Sequence, residues 1–349
     1  MRVGVVGLGR IGRMHAELLR SRVPGAVLAA VADTRAELAS GVAASLGTES
    51  MDPRRLVSSP DVDVVAICSP TDTHVELIVE AAAAGKAVFC EKPVALDLAE
   101  VDRGLAAVRT AGVPFMVGFN RRFDPAHAAV RAAVARGEVG EPHLVRISSR
   151  DPAPPPASYV ESSGGIFLDM TIHDFDMARF LTDSEVVEVF AQGAVRIDPR
   201  LSALGDLDTV TVLLVHKSGC LTAIDNSRRA VYGFDQRVEV FGSRGLAASS
   251  NPLTSTSTVL TSDGARLPRL PQFFLDRYLC SYIREWRAFV EAVTGGRECP
   301  VGAYDSRAAL VIGMAASVSV QEHRPVRVVL GPGAEAEGDE ALETSPDRR

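Results

Sequence analysis

A glycine-rich hexapeptide near the N-terminus constrains the fold of this chain more than any other segment. It follows a β-branched run, Val3–Val6, and has the spacing GxGxxG. Its residues are Gly7, Leu8, Gly9, Arg10, Ile11 and Gly12. In this pattern the first glycine permits a tight turn, the second lets the backbone approach a pyrophosphate, and the third lets a helix pack close to the strand. The hexapeptide therefore predicts a dinucleotide-binding βαβ unit, with the phosphate charge at the helix N-terminus.

Short apolar runs alternate with helix-like segments over about the first 120 residues. The runs Val27–Ala32, Val62–Ile67 and Ala87–Cys90 contain almost no polar residues, which is typical of strands buried on both faces. Strands that alternate with helices imply a doubly wound parallel sheet. The fold class predicted for residues 1–120 is therefore α/β, a Rossmann domain that binds a dinucleotide.

The pattern changes after residue 120 to runs that are typical of antiparallel strands. They are Val186–Gln192, Asp208–His216, Cys220–Asn226 and Gln236–Gly242. A proline-rich loop, Asp151–Pro156, and a helix-like segment, Asp169–Thr182, precede them. This order predicts an α+β domain over residues 121–330, with a large, mainly antiparallel open sheet. Residues 331–349 hold six acidic residues and two arginines, and they are predicted to be a disordered tail.

Charge and cysteine usage exclude several classes of function. The formal net charge is −7, of which the tail contributes −4, and no Lys/Arg-rich block exists. This balance gives no electrostatic basis for binding nucleic acid or an anionic membrane, and no apolar run is long enough to span a bilayer. The five cysteines are scattered, without a CxxC pair, which argues against a disulfide framework and a metal site. No signal peptide is expected before the first strand, so the predicted compartment is the cytoplasm.

Asp33 bears on the choice of cofactor. It ends the second predicted strand, 21 residues after Gly12, where a carboxylate binds a ribose 2′-hydroxyl and repels a 2′-phosphate. This position favours NAD over NADP. Arg35 leaves the use of NADP open, although a solvated residue at a helix start explains it as well. His15, one turn past the glycines, is interpreted as a packed or hydrogen-bonded helix residue.

Glu91-Lys92-Pro93 directly follows the fourth predicted strand. Carboxyl ends of strands border the ligand crevice in an open α/β sheet. A lysine there would hold its cation near a reacting oxygen, and Glu91 would orient it or face the cofactor. The alternative is an ordinary surface loop.

A second cluster contains Asp169, His173 and Asp176. On a continuous helix these residues would lie within roughly 60° of one another, so that all three would be in contact. A histidine flanked by carboxylates is suited to accept a proton near neutral pH. The alternative, a capping aspartate on a polar helix face, remains open from these residues alone.

These motifs, together with the segments Gly118–Pro125 (GFNRRFDP) and Gly164–Leu181 (GGIFLDMTIHDFDMARFL), resemble the Gfo/Idh/MocA oxidoreductase family. The second segment is most similar to its inositol 2-dehydrogenase branch, and the resemblance extends from Met1 to about Val329. It implies NAD-dependent oxidation of myo-inositol to 2-keto-myo-inositol (scyllo-inosose). The alternatives are another inositol isomer or a sugar as substrate, or a module that binds NAD(H) without turnover.

The resemblance also implies roles for individual residues. Lys92, Asp169 and His173 would be catalytic, with His173 as proton acceptor and Asp169 as its orienter or relay. Asp176 and Tyr232 would hydrogen-bond the polyol substrate. The residues implied on the cofactor side, beyond the glycine-rich turn and Asp33, are Ser69, Thr71, His74, Glu91 and Lys92. A homotetramer is implied as well, formed through the faces of the second sheet.

Overall fold

A computed structural model describes residues 1–331 of the chain, and the predicted tail lies almost wholly outside them. The first sheet is parallel, with strand order β3-β2-β1-β4-β5-β6. Its strands are β1 (Arg2–Val6), β2 (Val27–Ala32), β3 (Glu49–Met51), β4 (Val64–Ile67), β5 (Ala87–Glu91) and β6 (Phe115–Gly118). This order is that of dinucleotide-binding folds, and it confirms the predicted Rossmann sheet.

Helices cover both faces of this sheet. They are α1 (Arg10–Ser21), α2 (Ala36–Leu46), α3 (Pro53–Ser58), α4 (His74–Ala83) and α5 (Leu98–Ala111). All residues of β4 and β6 are buried, as expected for strands that are enclosed on both sides. The carboxyl ends of β1, β4, β5 and β6 therefore form one edge, where the glycine-rich turn and the segment after β5 meet.

The second sheet has seven strands and the order β12-β11-β7-β10-β9-β8-β15. Its strands are β7 (Pro142–Arg150), β8 (Val186–Ala194), β9 (Thr209–His216), β10 (Leu221–Ser227), β11 (Asp235–Gly242), β12 (Gly245–Ala248) and β15 (Val326–Arg327). A separate hairpin consists of β13 (Val259–Thr261) and β14 (Gly264–Arg266). Only β7 and β10 pair in parallel, so the predicted mainly antiparallel sheet is confirmed.

The remaining helices pack on the second sheet or return to the first. They are α6 (Pro125–Ala135), α7 (Ala157–Ser163), α8 (Gly165–Asp169), α9 (Ile172–Thr182), α10 (Arg200–Ala203), α11 (Phe274–Thr294) and α12 (Ala303–Glu322). α9 and α12 cover the inner face of the second sheet, whereas α11 buries Trp286 and Phe289 in the core of the first. Within residues 1–331, no helix combines the length and apolarity that crossing a membrane requires.

The chain breaks its helical course between Asp169 and His173, contrary to the prediction of one helix over Asp169–Thr182. α8 ends at Asp169, and α9 begins at Ile172. At the junction the Thr171 hydroxyl lies 2.5 Å from Asn226 Oδ1 on β10 and 3.2 Å from the Ile166 carbonyl. Asp169 and Asp176 therefore do not share one helical face, because a tertiary contact overrides the local pattern.

Two consecutive arginines after β6 hold α9 in place. Arg121 Nη1 donates to Asp174 Oδ1 at 2.6 Å. Arg122 binds both oxygens of Asp176, at 2.5 and 2.8 Å. Asp174 and Asp176 are completely buried, so their charges depend on these partners. The two pairs fix the position of α9 relative to the edge of the Rossmann sheet.

We expect Arg122→Leu to lower the free energy of unfolding by about 3–5 kcal/mol, because it leaves the Asp176 carboxylate buried without its cation. Urea denaturation followed by circular dichroism measures this loss. The double variant Arg122→Leu/Asp176→Leu serves as the control and should recover part of it. A loss of only about 1 kcal/mol, as for an exposed pair, would contradict the assignment.

Candidate active site

Lys92 and Asp169 meet between the two sheets. Lys92 follows β5 directly, and Asp169 is the last residue of α8. Lys92 Nζ donates to the Asp169 carbonyl oxygen at 2.7 Å and lies 3.4 Å from Asp169 Oδ1. The bond Lys92–Pro93 is cis. The structure thus brings together two of the three residues predicted to be catalytic, which are 77 positions apart in sequence.

Asp169 is held by two further side chains. The Tyr159 hydroxyl donates to Asp169 Oδ1 at 2.9 Å, and Arg228 Nη1 donates to Oδ2 at 3.2 Å. Burial opposes ionisation of this carboxyl group, but the charges of Lys92 and Arg228 and the hydrogen bonds outweigh burial, and the pKa of Asp169 is lowered. Asp169 is therefore a carboxylate at neutral pH.

His173 lies in the first turn of α9, with its ring edge-to-face against Phe119 at 5.8 Å between centroids. Burial, together with the charges of Arg121 and Lys92, lowers the pKa of His173 well below 6.5. Its Nδ1 is buried without a hydrogen-bond partner in the described part of the chain, whereas Nε2 is not enclosed in this way. His173 is thus a neutral imidazole whose Nε2 is open to a proton donor.

Sequence reasoning missed three residues of this cluster. Tyr159 on α7 and Arg228, directly after β10, both hold Asp169, and no local pattern places either side chain at this carboxylate. Asp151 follows β7 and was predicted only as part of a loop. Burial raises the pKa of its carboxyl group to about 6, although the charge of Arg121 acts to lower it. The proximity of Asp151 to Asp169 and Arg228 depends on the pairing of β7 with β10, which no short-range pattern reports.

The turn after β1 has the shape that a dinucleotide needs. Gly7 has a φ of +88°, and a Cβ there would lie 2.4 Å from the Ser69 backbone nitrogen. A Cβ on Gly12 would lie 1.8 Å from the Gly7 carbonyl oxygen, whereas a Cβ on Gly9 would face open space. The N-cap of α1 is Gly9, which has no side chain that could cap the helix. The first N–H groups of α1, including those of Arg10 and Ile11, are thus available for a phosphate.

Asp33 closes the same turn from β2. Its Oδ2 accepts from the Leu8 N–H at 2.8 Å, and its Oδ1 accepts from the Arg35 N–H and Nε. Burial opposes ionisation, but these hydrogen bonds prevail and lower the pKa of Asp33. An open pocket lies beside it, lined by Thr34, Ala36, Ala39, Ser50, Met51, Asp52, Pro53 and Arg54. An ionised carboxylate at this place fits a ribose with free hydroxyl groups.

The segment after β4 supplies the other predicted cofactor residues. Ser69 Oγ and Thr73 Oγ1 are 2.6 Å apart, and Thr71 lies in the intervening 3₁₀ turn. His74 is buried, and its ring nitrogens lie 2.9 Å from the Pro93 carbonyl and 2.8 Å from the Ser69 carbonyl. His74 therefore bridges this turn to the loop of Lys92, and its ring does not line an open groove.

The two predicted substrate residues hydrogen-bond to side chains other than Lys92. Asp176 is 1% exposed and fully engaged by Arg122. It therefore positions α9, and its predicted contact with a substrate has no geometric support. Tyr232 is half-exposed; its hydroxyl donates to Asp235 Oδ2 at 2.7 Å and accepts from Arg150 Nη1 at 3.0 Å. Tyr232 borders the end of β7 and stays a predicted substrate contact.

Comparison with protein-family profiles identifies both halves of the chain. A profile described as an oxidoreductase family with an NAD-binding Rossmann fold matches residues 1–119, and the GFO/IDH/MocA C-terminal domain matches residues 127–248. The chain belongs to the Gfo/Idh/MocA oxidoreductase family. The predicted family and the predicted cofactor, NAD, are thereby confirmed.

Other Gfo/Idh/MocA proteins match almost the whole chain. A myo-inositol 2-dehydrogenase of Thermotoga maritima is 48% identical over 94% of this chain and 98% of its own length. An inositol 2-dehydrogenase of Rhizobium meliloti is 45% identical, with 94% and 99% covered. A crystal structure of scyllo-inositol dehydrogenase from Lactobacillus casei with bound NAD(H) and scyllo-inositol has a TM-score of 0.87 and 30% identity, with 94% and 98% covered.

Proposed function

We propose that this Gfo/Idh/MocA enzyme is an NAD-dependent inositol 2-dehydrogenase that oxidises myo-inositol to 2-keto-myo-inositol (scyllo-inosose). The observation that carries the proposal is the Lys92–Asp169 contact beside a neutral His173. The two relatives at 45–48% identity, both named inositol 2-dehydrogenases, support the choice of substrate. A protein that only binds NAD(H) has no need of a cation and a base in this arrangement.

Each catalytic residue has a task that follows from its surroundings. His173 Nε2 accepts the proton of the reacting hydroxyl, since the imidazole is neutral. Lys92 Nζ stabilises the negative charge that develops on the oxygen, and Asp169 fixes the position of Lys92. When bound, NAD⁺ supplies a nicotinamide that accepts the hydride. The glycine-rich turn, the N-terminus of α1 and Asp33 would hold it, with Ser69, Thr71 and Glu91 near the nicotinamide end.

A second candidate substrate is scyllo-inositol, because the L. casei structure bound to that isomer aligns over 94% of this chain. The two isomers differ only in the configuration of one carbinol carbon. Both are uncharged, so their recognition depends on the positions of hydrogen-bonding groups such as Tyr232 and not on a cation that binds a carboxylate.

Steady-state kinetics with NAD⁺ and a panel of polyols test the function. We expect kcat/KM to be highest for myo-inositol, followed by scyllo-inositol, with glucose and xylose at least about tenfold lower, because the hydroxyl pattern of the bound ring decides specificity. A higher kcat/KM for scyllo-inositol would favour the second candidate. A preference for glucose or xylose would refute both.

Replacing the proposed base should separate catalysis from cofactor binding. We expect His173→Ala to lower kcat by about 10²–10⁴-fold, the range for loss of a general base, and to leave the Kd for NAD⁺ within about twofold, because His173 belongs to the α9 side of the site. Stopped-flow kinetics and fluorescence titration measure the two quantities. His143→Ala, an exposed histidine on β7, is the matched control. Unchanged turnover in His173→Ala would remove the proposed role.

The outer face of the second sheet supports a further part of the proposal, a homotetramer. Leu221, Leu144, Phe241 and Leu246 are neighbours across β10, β7, β11 and β12. Leu221, Phe241 and Leu246 are each about half-exposed. Such a continuous apolar row on a sheet face is typical of a surface that another subunit covers.

The compartment we propose is the cytoplasm, consistent with five free thiols in the described residues.

We expect Phe241→Asp to reduce the mass in solution from that of four chains to that of two or one, because it places a charge in the middle of the apolar row. Light scattering after size-exclusion chromatography measures the mass. Leu260→Asp changes an even more exposed leucine in the separate β13–β14 hairpin, and it should leave the mass unchanged. A wild-type protein with the mass of one chain would disprove the tetramer.

A further inference from the structure

A chain of hydrogen bonds connects α11 with the loop that carries Lys92. Trp286 Nε1 donates to His15 Nδ1 on α1 at 2.8 Å. His15 Nε2 lies 2.7 Å from Glu91 Oε1, and Glu91 Oε2 accepts the Lys92 N–H at 3.3 Å. Trp286 and His15 are both completely buried. The interpretation of His15 as a hydrogen-bonded helix residue is confirmed, but its partners lie 76 and 271 positions away.

The direction of each bond in this chain is fixed by chemistry. An indole N–H donates and cannot accept, so His15 Nδ1 must be the acceptor. In a neutral imidazole the other nitrogen, Nε2, then carries the hydrogen and donates it to Glu91. Trp286 thereby selects the tautomer of His15 that points a donor at the Glu91 carboxylate. In the opposite tautomer, the lone pair of Nε2 would face the Glu91 carboxylate, and the N–H of Nδ1 would face the indole N–H of Trp286.

The Glu91 carboxylate is enclosed as well as bonded. A Cβ added to Gly118 at the end of β6 would lie 3.1 Å from Glu91 Cδ, so only a glycine there gives the carboxylate its full space. The Trp286 indole also stacks on Phe89 of β5, with centroids 4.5 Å apart. Phe89 precedes Lys92 by three residues. The indole therefore contacts β5 directly, and through His15 it also acts on Glu91, the residue before Lys92.

We propose that Trp286, acting through His15 and Glu91, positions Lys92 for catalysis. The proposal rests on the role of Lys92 in the function proposed above. Without the indole N–H, His15 Nδ1 is left buried without its donor, and the imidazole ring is held only by its Nε2 hydrogen bond to Glu91. The loop then holds the Lys92 backbone less firmly, and its Nζ drifts from the place fixed by Asp169. Trp286 and His15 are positioning residues, since both are completely buried and act on Lys92 through Glu91.

Trp286→Phe tests the proposal because it keeps an aromatic ring and removes only the N–H and part of the ring area. We expect kcat for myo-inositol to fall about tenfold, as small misplacements of catalytic groups do, with the KM for NAD⁺ within about twofold. Phe289→Leu is the matched control: Phe289 is equally buried in the same aromatic cluster, 5.8 Å from Trp286, and makes no hydrogen bond. It should lower Tm and preserve kcat. The proposal is overturned if Trp286→Phe turns over like the wild type, or if Phe289→Leu loses as much kcat.

Substitutions of His15 give a rescue that a packing role does not predict. A glutamine accepts through its carbonyl oxygen and donates through its amide nitrogen, so His15→Gln should keep kcat within about threefold of the wild type. His15→Leu, which cannot donate or accept, should lose about tenfold. Equal kcat in the two variants would contradict the proposal.

Nuclear magnetic resonance of ¹⁵N-histidine-labelled protein provides a readout that needs no turnover. We expect the Nε2–H of His15 to give a sharp, slowly exchanging resonance in the wild type and a broader, faster-exchanging one in Trp286→Phe, because the ring has lost one of its two hydrogen bonds. An equally sharp and slowly exchanging resonance in the variant would overturn the proposal. If the wild type fails to oxidise inositol, the proposed function fails, while the ring spectrum still decides whether Trp286 controls His15.

Discussion

Two buried ion pairs determine where His173, the proposed base, lies. Arg121–Asp174 and Arg122–Asp176 connect the turn after β6 with α9, and each carboxylate is shielded from water. A buried charge without its partner is costly, so these arginines and aspartates must meet if the chain is to fold. His173 directly precedes Asp174 in sequence, and its ring packs against Phe119, close to the same arginines. The position of the proposed base relative to the Rossmann sheet is therefore a consequence of the ion pairs Arg121–Asp174 and Arg122–Asp176.

The same cations set the protonation states of the site. The charge of Lys92 acts on both Asp169 and His173 and lowers the pKa of each, which favours the charged form of the carboxyl group and the neutral form of the imidazole. This charge and that of Arg228 keep Asp169 ionised despite burial, whereas this charge and that of Arg121 help to keep His173 neutral. A carboxylate that orients and an imidazole that accepts a proton can therefore exist within one enclosed cluster. The reason is that the neighbouring cations lower both pKa values, while burial opposes them at Asp169 and adds to them at His173.

Local patterns predicted those parts of the molecule whose geometry is local. GxGxxG and Asp33 could be recognised from the sequence because a strand, a turn and a helix of one βαβ unit place them together. Lys92 was found because the carboxyl end of a parallel strand reaches the ligand edge of the sheet. The helical face of Asp169, His173 and Asp176 failed, since Asn226 on a distant strand binds the junction at Thr171 and the helix is interrupted there. The contacts of Tyr159, Arg228 and Trp286 with the site were not predicted, because no local pattern shows which distant group a side chain will bind.

The sequence by itself determined the two-part architecture, the dinucleotide turn, the preference for NAD and the motifs that mark the family. These properties depend on backbone conformation and on hydrophobic periodicity, which act over a few residues to a few tens of residues. Only the tertiary structure decided which side chains hold Lys92 and Asp169. It also decided that Trp286 hydrogen-bonds to His15 and that Arg122 forms an ion pair with Asp176. Apart from Tyr159 and Asp169, which are 10 positions apart, those outcomes depend on contacts between residues 54 to 271 positions apart. A buried hydrogen bond or ion pair forms only when the fold brings both partners together.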